Sequence, residues 1–192
     1  MKAGDPEEPI GRLTTRIRDA FRDTAHPGDA FLQGSFDGCE SFEEVAHFKG
    51  QPNWTALEPG FLDQRYCALG FLSEGGFRFY LPAYLVADLR RALRTADPAF
   101  HLTHGFGGES ATLLNPRRYG AMTWVDYARF RLSVFTREEA SAIVDYLEWR
   151  RDGADPAEAR TIEAALTGFW LERARSAPTA GDLARRLAGG AG

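Results

Sequence analysis

The chain has 192 residues, 44% of them hydrophobic and 26% charged, and a formal net charge of −4. That length and apolar content support a hydrophobic core without disulfide or metal staples, and the mild negative charge gives no electrostatic drive toward nucleic-acid phosphates or anionic membranes. Lys2 and Lys49 are the only lysines and neither ends a glycine-rich phosphate loop, while Cys39 and Cys67 lack the paired spacing of a zinc knuckle or redox dithiol.

In chain order, Met1 to Ile10 carries Asp5, Glu7 and Glu8 with two prolines, which does not make a secretory signal. No apolar run approaches the roughly 18–20 residues of a membrane span, so the expectation is a cytoplasmic protein with reduced thiols. Ile10, Leu13, Ile17, Ala20 and Phe21 form the apolar stripe of an amphipathic helix. His26-Pro27-Gly28-Asp29 ends it, because proline biases the residue before it away from helix and glycine opens a turn. Residues 30–40 then read as a loop that pins Phe31, Leu32 and Phe36 to a core. Ser41 and Glu44, three apart, predict a capping box and a short helix to about Lys49. Gly50 to Asn53 closes it, Trp54 and Leu57 follow, and Glu58-Pro59 predicts a new helix with proline in its first turn.

Tyr66 to Leu93 is the most apolar stretch. Cys67 to Leu72 reads as a compact helical or buried patch, Gly75-Gly76 as a break, and Phe77 to Leu81 as a short extended piece or tight turn. Pro82 then starts a helix to about Arg94 with Leu81, Leu85, Leu89 and Leu93 on one face. Residues 96–122 have loop chemistry over a long interval, the kind of segment that carries function in compact domains. Residues 124–135 read as helical and then extended, with Arg131 to Phe135 a short edge strand. Thr136 with Glu139, and Asp155-Pro156 with Glu158, open two closing helices, the second burying Ile162, Ala165, Leu166, Phe169 and Trp170. The expectation is a mainly α protein: a single compact helical domain over 1–175, of about six or seven helices with at most one or two short strands. A flexible tail over 176–192 follows, with a turn of helix around Leu183 to Leu187.

The run from Ala68 through Gly75-Gly76-Phe77-Arg78-Phe79-Tyr80-Leu81-Pro82-Ala83-Tyr84-Leu85 resembles the central signature of an uncharacterised bacterial family. Three features agree in order: the helix ending in His26-Pro27-Gly28-Asp29, the cysteine-acidic segment leading to Trp54, and Phe130 to Glu139 feeding a helix with Tyr146-Leu147. The likeness covers about residues 10–151 and is densest at Phe79-Tyr80-Leu81-Pro82-Ala83-Tyr84. It implies a fold relationship and a bacterial origin, and no catalytic residues.

His101, His104 and Glu109 are the one group of metal-ligand types. Their spacing departs from the helical metalloprotease pattern, and Gly105 and Gly107 oppose a helix, so a polar loop is the simpler reading. Gly105-Phe106-Gly107-Gly108-Glu109-Ser110 matches neither a dinucleotide fingerprint nor a nucleophile elbow. Among the mid-chain aromatics, Trp54, Tyr80 and Tyr84, with Asp29, are the binding candidates, against the plainer reading that such rings are core. Cys39 has acidic neighbours, which oppose a reactive thiolate. Glu43-Glu44 and Glu138-Glu139 suit helix first turns, and Arg90, Arg91, Arg94, Arg117 and Arg118 suit solvated faces and helix ends. The expected function is a non-catalytic accessory or interaction protein, for instance an immunity-type factor. It binds a protein partner, needs no cofactor and engages neither nucleic acid nor membrane. The alternative is an enzyme or small-ligand binder, metal-dependent in one form, with its site in the 96–122 loop and the Asp29 to Glu40 segment.

Overall fold

The structure, a computed structural model, describes residues 7–35, 38–108, 110–114 and 120–189. Its backbone is mainly helical, as the apolar periodicity predicts. The extended pairing among the described residues is limited to two isolated antiparallel bridges, Gln33 with Leu72 and Leu113 with Thr123. The chain divides into two compact units, residues 1–101 and 102–192.

Unit 1 is organised on one helix that is buried nearly all round. Helix α1 (Glu7–Ala20) buries Leu13 and Ile17 on the predicted stripe. Short helices α2 (Glu40–Ala46), α3 (Pro59–Gln64) and α4 (Ala68–Phe71) follow. Helix α5 (Glu74–Leu89) buries every side chain from Gly76 to Leu89 except Arg78, the mark of a core helix. Helix α1, helix α3, helix α4 and the 3-10 turn Trp54–Ala56 pack against it, and α2 packs on α4.

The extended piece expected at Phe77 to Leu81 is instead the second turn of α5, and Gly75-Gly76 opens that helix rather than breaking it. Ser73 is its N-cap: the hydroxyl accepts from the Gly76 N–H at 3.1 Å and donates to the Phe31 carbonyl at 2.6 Å. The glycines sit where the chain running from Pro27 to Leu32 crosses the helix start. A Cβ on Gly75 would lie 3.3 Å from Pro27, and one on Gly76 3.3 Å from the Leu32 carbonyl. Pro82 lies inside the helix instead of starting it. The helix also stops five residues before Arg94. Arg91 takes a left-handed conformation (φ 54°), and the N–H groups of Arg91 and Ala92 turn back to the carbonyls of Asp88 and Ala87, a Schellman ending. In α2, Ser41 is no cap: it is buried within the helix, whose N-cap is Cys39. Within the interval expected to be loop, α6 (Pro98–Thr103) forms a short helix that starts in unit 1.

Unit 2 contains α7 (Trp124–Leu132), α8 (Arg137–Asp152), α9 (Pro156–Ala165), a π turn (Leu166–Trp170), α10 (Leu171–Ser176) and α11 (Ala180–Gly189). Arg131 and Leu132, placed in an edge strand by sequence, belong to α7. The Thr123/Asp126 capping box starts a helix there, and Ala128 and Leu132, four apart, bury one face. Helix α8 packs on α9 and α10, with Phe135, Ile143, Tyr146, Leu147, Ile162 and Trp170 buried. At the π turn Arg129 donates to the Gly168 carbonyl, and the Trp170 indole donates to the Leu102 carbonyl at 2.9 Å.

Candidate functional site

Of the sequence-derived binding candidates, Trp54, Tyr80 and Tyr84 are all buried in unit 1. The Tyr84 hydroxyl donates to the Arg65 carbonyl at 2.8 Å, and burial pushes its ionisation far above the ordinary phenol range. Tyr80 sits at a junction of three segments. Its hydroxyl donates toward the carbonyls of Phe48 (3.0 Å) and Gln51 (2.8 Å), and His26 Nε2 lies 3.0 Å away. Burial, then the negative charge of Asp29, raises its ionisation as well, so it remains a neutral hydrogen-bonding group. Asp29 is exposed at the end of the same loop, and both its oxygens accept from the Gly50 N–H at 3.0 and 3.1 Å. Asp29 and Tyr80 therefore meet in one network, while Trp54 buries its ring in the core.

The structure describes two of the metal-ligand types, His101 and His104, each packed against an aromatic ring. The His101 ring packs edge-on against Phe100 and lies against Gly70 in unit 1. In unit 2 the His104 ring meets Trp124 edge-on at 4.5 Å. Glu109 lies outside the described residues, as do Arg117 and Arg118. Among the described residues no group of three or more His, Cys, Asp or Glu side chains is placed to hold a metal ion. Gly105, read as loop chemistry, has a sharper role: its φ is +94°, and a Cβ there would come within 2.8 Å of the Trp124 carbonyl and 3.0 Å of Ala128.

Both cysteines are free. Burial raises the Cys67 thiol pKa, Glu40 and Glu44 raise it further, and a hydrogen bond with Tyr66 opposes them. That setting disfavours thiolate chemistry. Sequence reasoning missed Asp63, one of whose oxygens accepts from the N–H groups of Arg94, Thr95 and Ala96 at 2.9, 2.7 and 2.9 Å. No spacing rule links a residue on α3 to amides some thirty positions later.

Unit 1 also leaves large rings at its surface. Tyr66 is 49% and Phe100 51% exposed. Tyr66 lies in the turn before α4, and Gly70 on α4 is itself exposed and lies 3.8 Å, measured from its would-be Cβ, from the His101 ring beside Phe100. A hydrogen bond with Cys67 raises the Tyr66 hydroxyl's ionisation and the carboxylates of Glu40 and Glu44 on α2 add to it; Glu40 is exposed, whereas Glu44 is half-buried with Oε2 inside. Aromatic surface bordered by acid is a recognition chemistry, since rings supply contact area with little side-chain entropy to lose.

These features define a mainly helical protein in which Asp29, Asp63, Tyr80 and Tyr84 are tied to backbone amides and carbonyls. Residues 11–174 match the family of unknown function DUF6714, and the chain belongs to that family. No curated protein and no solved structure matches it. No helix among the described residues is long and apolar enough to cross a membrane.

Proposed function

We propose that the chain is a non-catalytic, cytoplasmic interaction protein. Its unit 1 binds a protein partner through Tyr66, Gly70, His101 and Phe100, with Glu40 and Glu44 at the border. The observation that carries this reading is the exposure of Tyr66 and Phe100 in a unit that buries Trp54, Tyr80 and Tyr84. Large exposed rings gain most from being covered by another protein. The acidic border selects a partner that presents a lysine or arginine beside its apolar patch, because complementary charge steers encounter and fixes register.

Site-specific photo-crosslinking in the native host tests it. A photoreactive phenylalanine at position 66 or 100 should give an adduct with one protein, whereas the same group at Leu113 in unit 2 should not. Reversing charge with Glu40→Lys at the exposed position should weaken that adduct about tenfold or more, the scale of a close interfacial charge pair. An adduct indifferent to position and to charge reversal, or none at 66 and 100, rejects the proposal.

A further inference from the structure

Unit 2 carries an exposed apolar patch on two segments that are tied side by side. Arg129, in the last turn of α7, donates to the Gly168 carbonyl of the π turn at 3.3 Å. Arg173 on α10 donates from Nε to the Phe135 carbonyl at 3.0 Å and from a terminal nitrogen to the Ser133 carbonyl. These ties lay residues 129–135 alongside residues 168–173, with Phe130 between them on the first segment and Leu171 on the second. Ala128 and Leu132 turn inward, so Phe130, two positions from each on the same helix, turns outward. Phe130 is left 61% exposed and Leu171 39%.

The surround of this patch is basic. Helices α7 and α10 carry Arg129, Arg131, Arg173 and Arg175 against two carboxylates, Asp126 and Glu172. Glu172 pairs with Arg175 at 3.1 Å, and Asp126 is engaged in the cap of α7, where it accepts from the Thr123 hydroxyl at 2.7 Å. The carbonyls that hold Arg129 and Arg173 are neutral, so these bonds position the guanidinium groups without cancelling their charge. Unit 1 is the complement. Fifteen acidic and eleven basic side chains fall in residues 1–101, against twelve and twelve in residues 102–192, so unit 1 carries the whole net charge. Its rings Tyr66 and Phe100 are exposed, with the Glu40 carboxylate close enough to Tyr66 to bear on its hydroxyl. A partner suited to that face shows arginine beside apolar surface, and α7 and α10 present that combination.

We propose that the partner of the Tyr66–Phe100 face is a second copy of this chain, which docks the Phe130–Leu171 face of its unit 2 there. The inference rests on the reading of Tyr66 and Phe100 as a docking face. Because the two faces differ, association runs head to tail, until a ring of copies closes or an open row grows. Covering the exposed rings supplies the attraction, and opposite charge fixes which face meets which. The charged part of the contact weakens with salt.

Sedimentation of the intact chain tests it. The mass should rise above the 21.3 kDa of one chain as the concentration goes from about 10 μM to about 1 mM, the range of weak specific contacts. It should return toward that of one chain when salt is raised from about 0.05 M to about 0.5 M. Phe100→Asp and Phe130→Asp, both at exposed positions, should each remain single over the same concentrations. Mixed, they should pair and stop at two, because the first retains only the unit 2 face and the second only the unit 1 face. A native chain that stays single throughout, either variant still associating alone, or a mixture that does not pair overturns the second copy as partner. The photo-adduct at position 66 separates that failure from failure of the face itself. An adduct with a different protein keeps the docking face and rejects self-association, whereas no adduct rejects both.

Discussion

Asp63 places a carboxylate oxygen where three successive amides converge, the arrangement in which backbone nests hold anions. Its hydrogen bonds to Ala96 and Thr95, with a smaller share from Arg94, lower its pKa below the ordinary aspartate value. Because the folded chain resists protonation of this group more than the unfolded chain does, its contribution to stability is fully present above the unfolded pKa of about 3.9. That contribution is lost as pH falls through the lower folded value. Asp63→Asn should therefore be less stable than the native chain at neutral pH, and the gap should close in strong acid. Urea unfolding midpoints collected across that range measure it, and a gap that persists unchanged at the acid end contradicts the assignment. Gly105 is the other residue on which local geometry turns. Its left-handed φ and the nearby Trp124 carbonyl penalise any Cβ, so Gly105→Ala should destabilise the chain by more than about 1 kcal/mol, read from the shift in the denaturant midpoint.

At the scale of elements, helix starts were legible where the cap is made by neighbours in sequence. Thr136 accepts from the Glu139 N–H at 3.3 Å, and Glu139 returns a bond to the Thr136 N–H at 2.8 Å. Asp155 accepts from the N–H groups of Ala157 and Glu158 at 2.8 and 3.0 Å. Thr136→Ala should cost about 1 kcal/mol, visible in thermal or urea unfolding with the helical circular dichroism retained. The same rule misled at Ser41, because an S-x-x-E pattern does not say which way its serine faces, and this one is taken inward by the core. It misled again at Gly75-Gly76 and Pro82. Propensity marks both as interruptions, yet the apolar surface of α5 buried from Gly76 to Leu89 outweighs a local preference of about 1 kcal/mol per glycine and about 3 kcal/mol for proline. Of the candidate site, the aromatic residues were visible in sequence. Which were core and which were surface was not, because Tyr66 and Tyr80 are the same residue type and only packing separates them.

At the scale of the whole molecule, the C-terminal residues are bound to unit 2 more firmly than their composition suggests. Ala177 is buried, and Arg137 donates from its backbone to the Pro178 carbonyl and from Nε to the Ala177 carbonyl. Glu138 accepts from the Ala180 N–H, and a Thr179/Asp182 capping box opens α11. A chain ended at Ser176 retains the span that matches the family, 11–174, and should still fold. It should lose about 2 kcal/mol with the charge-assisted hydrogen bond of Arg137 and the cap of α11. Equal denaturation midpoints for the two lengths would show that these bonds contribute nothing.

By itself the sequence determined the class of this protein. Apolar residues at helical spacing and caps written within four positions were enough for a mainly helical fold, since each of these depends only on near neighbours along the chain, and the likeness to a family of unknown function was legible in the same way. Tertiary structure alone decided that α5 runs unbroken through Gly75, Gly76 and Pro82. It alone placed Asp63 on the amides of 94–96, paired His26 with Tyr80 fifty-four positions away, and left Tyr66 and Phe100 in solvent while Trp54 went inside. Those outcomes follow from burial and from hydrogen bonds between distant segments, and neither is recorded in the spacing of residues along one strand of sequence.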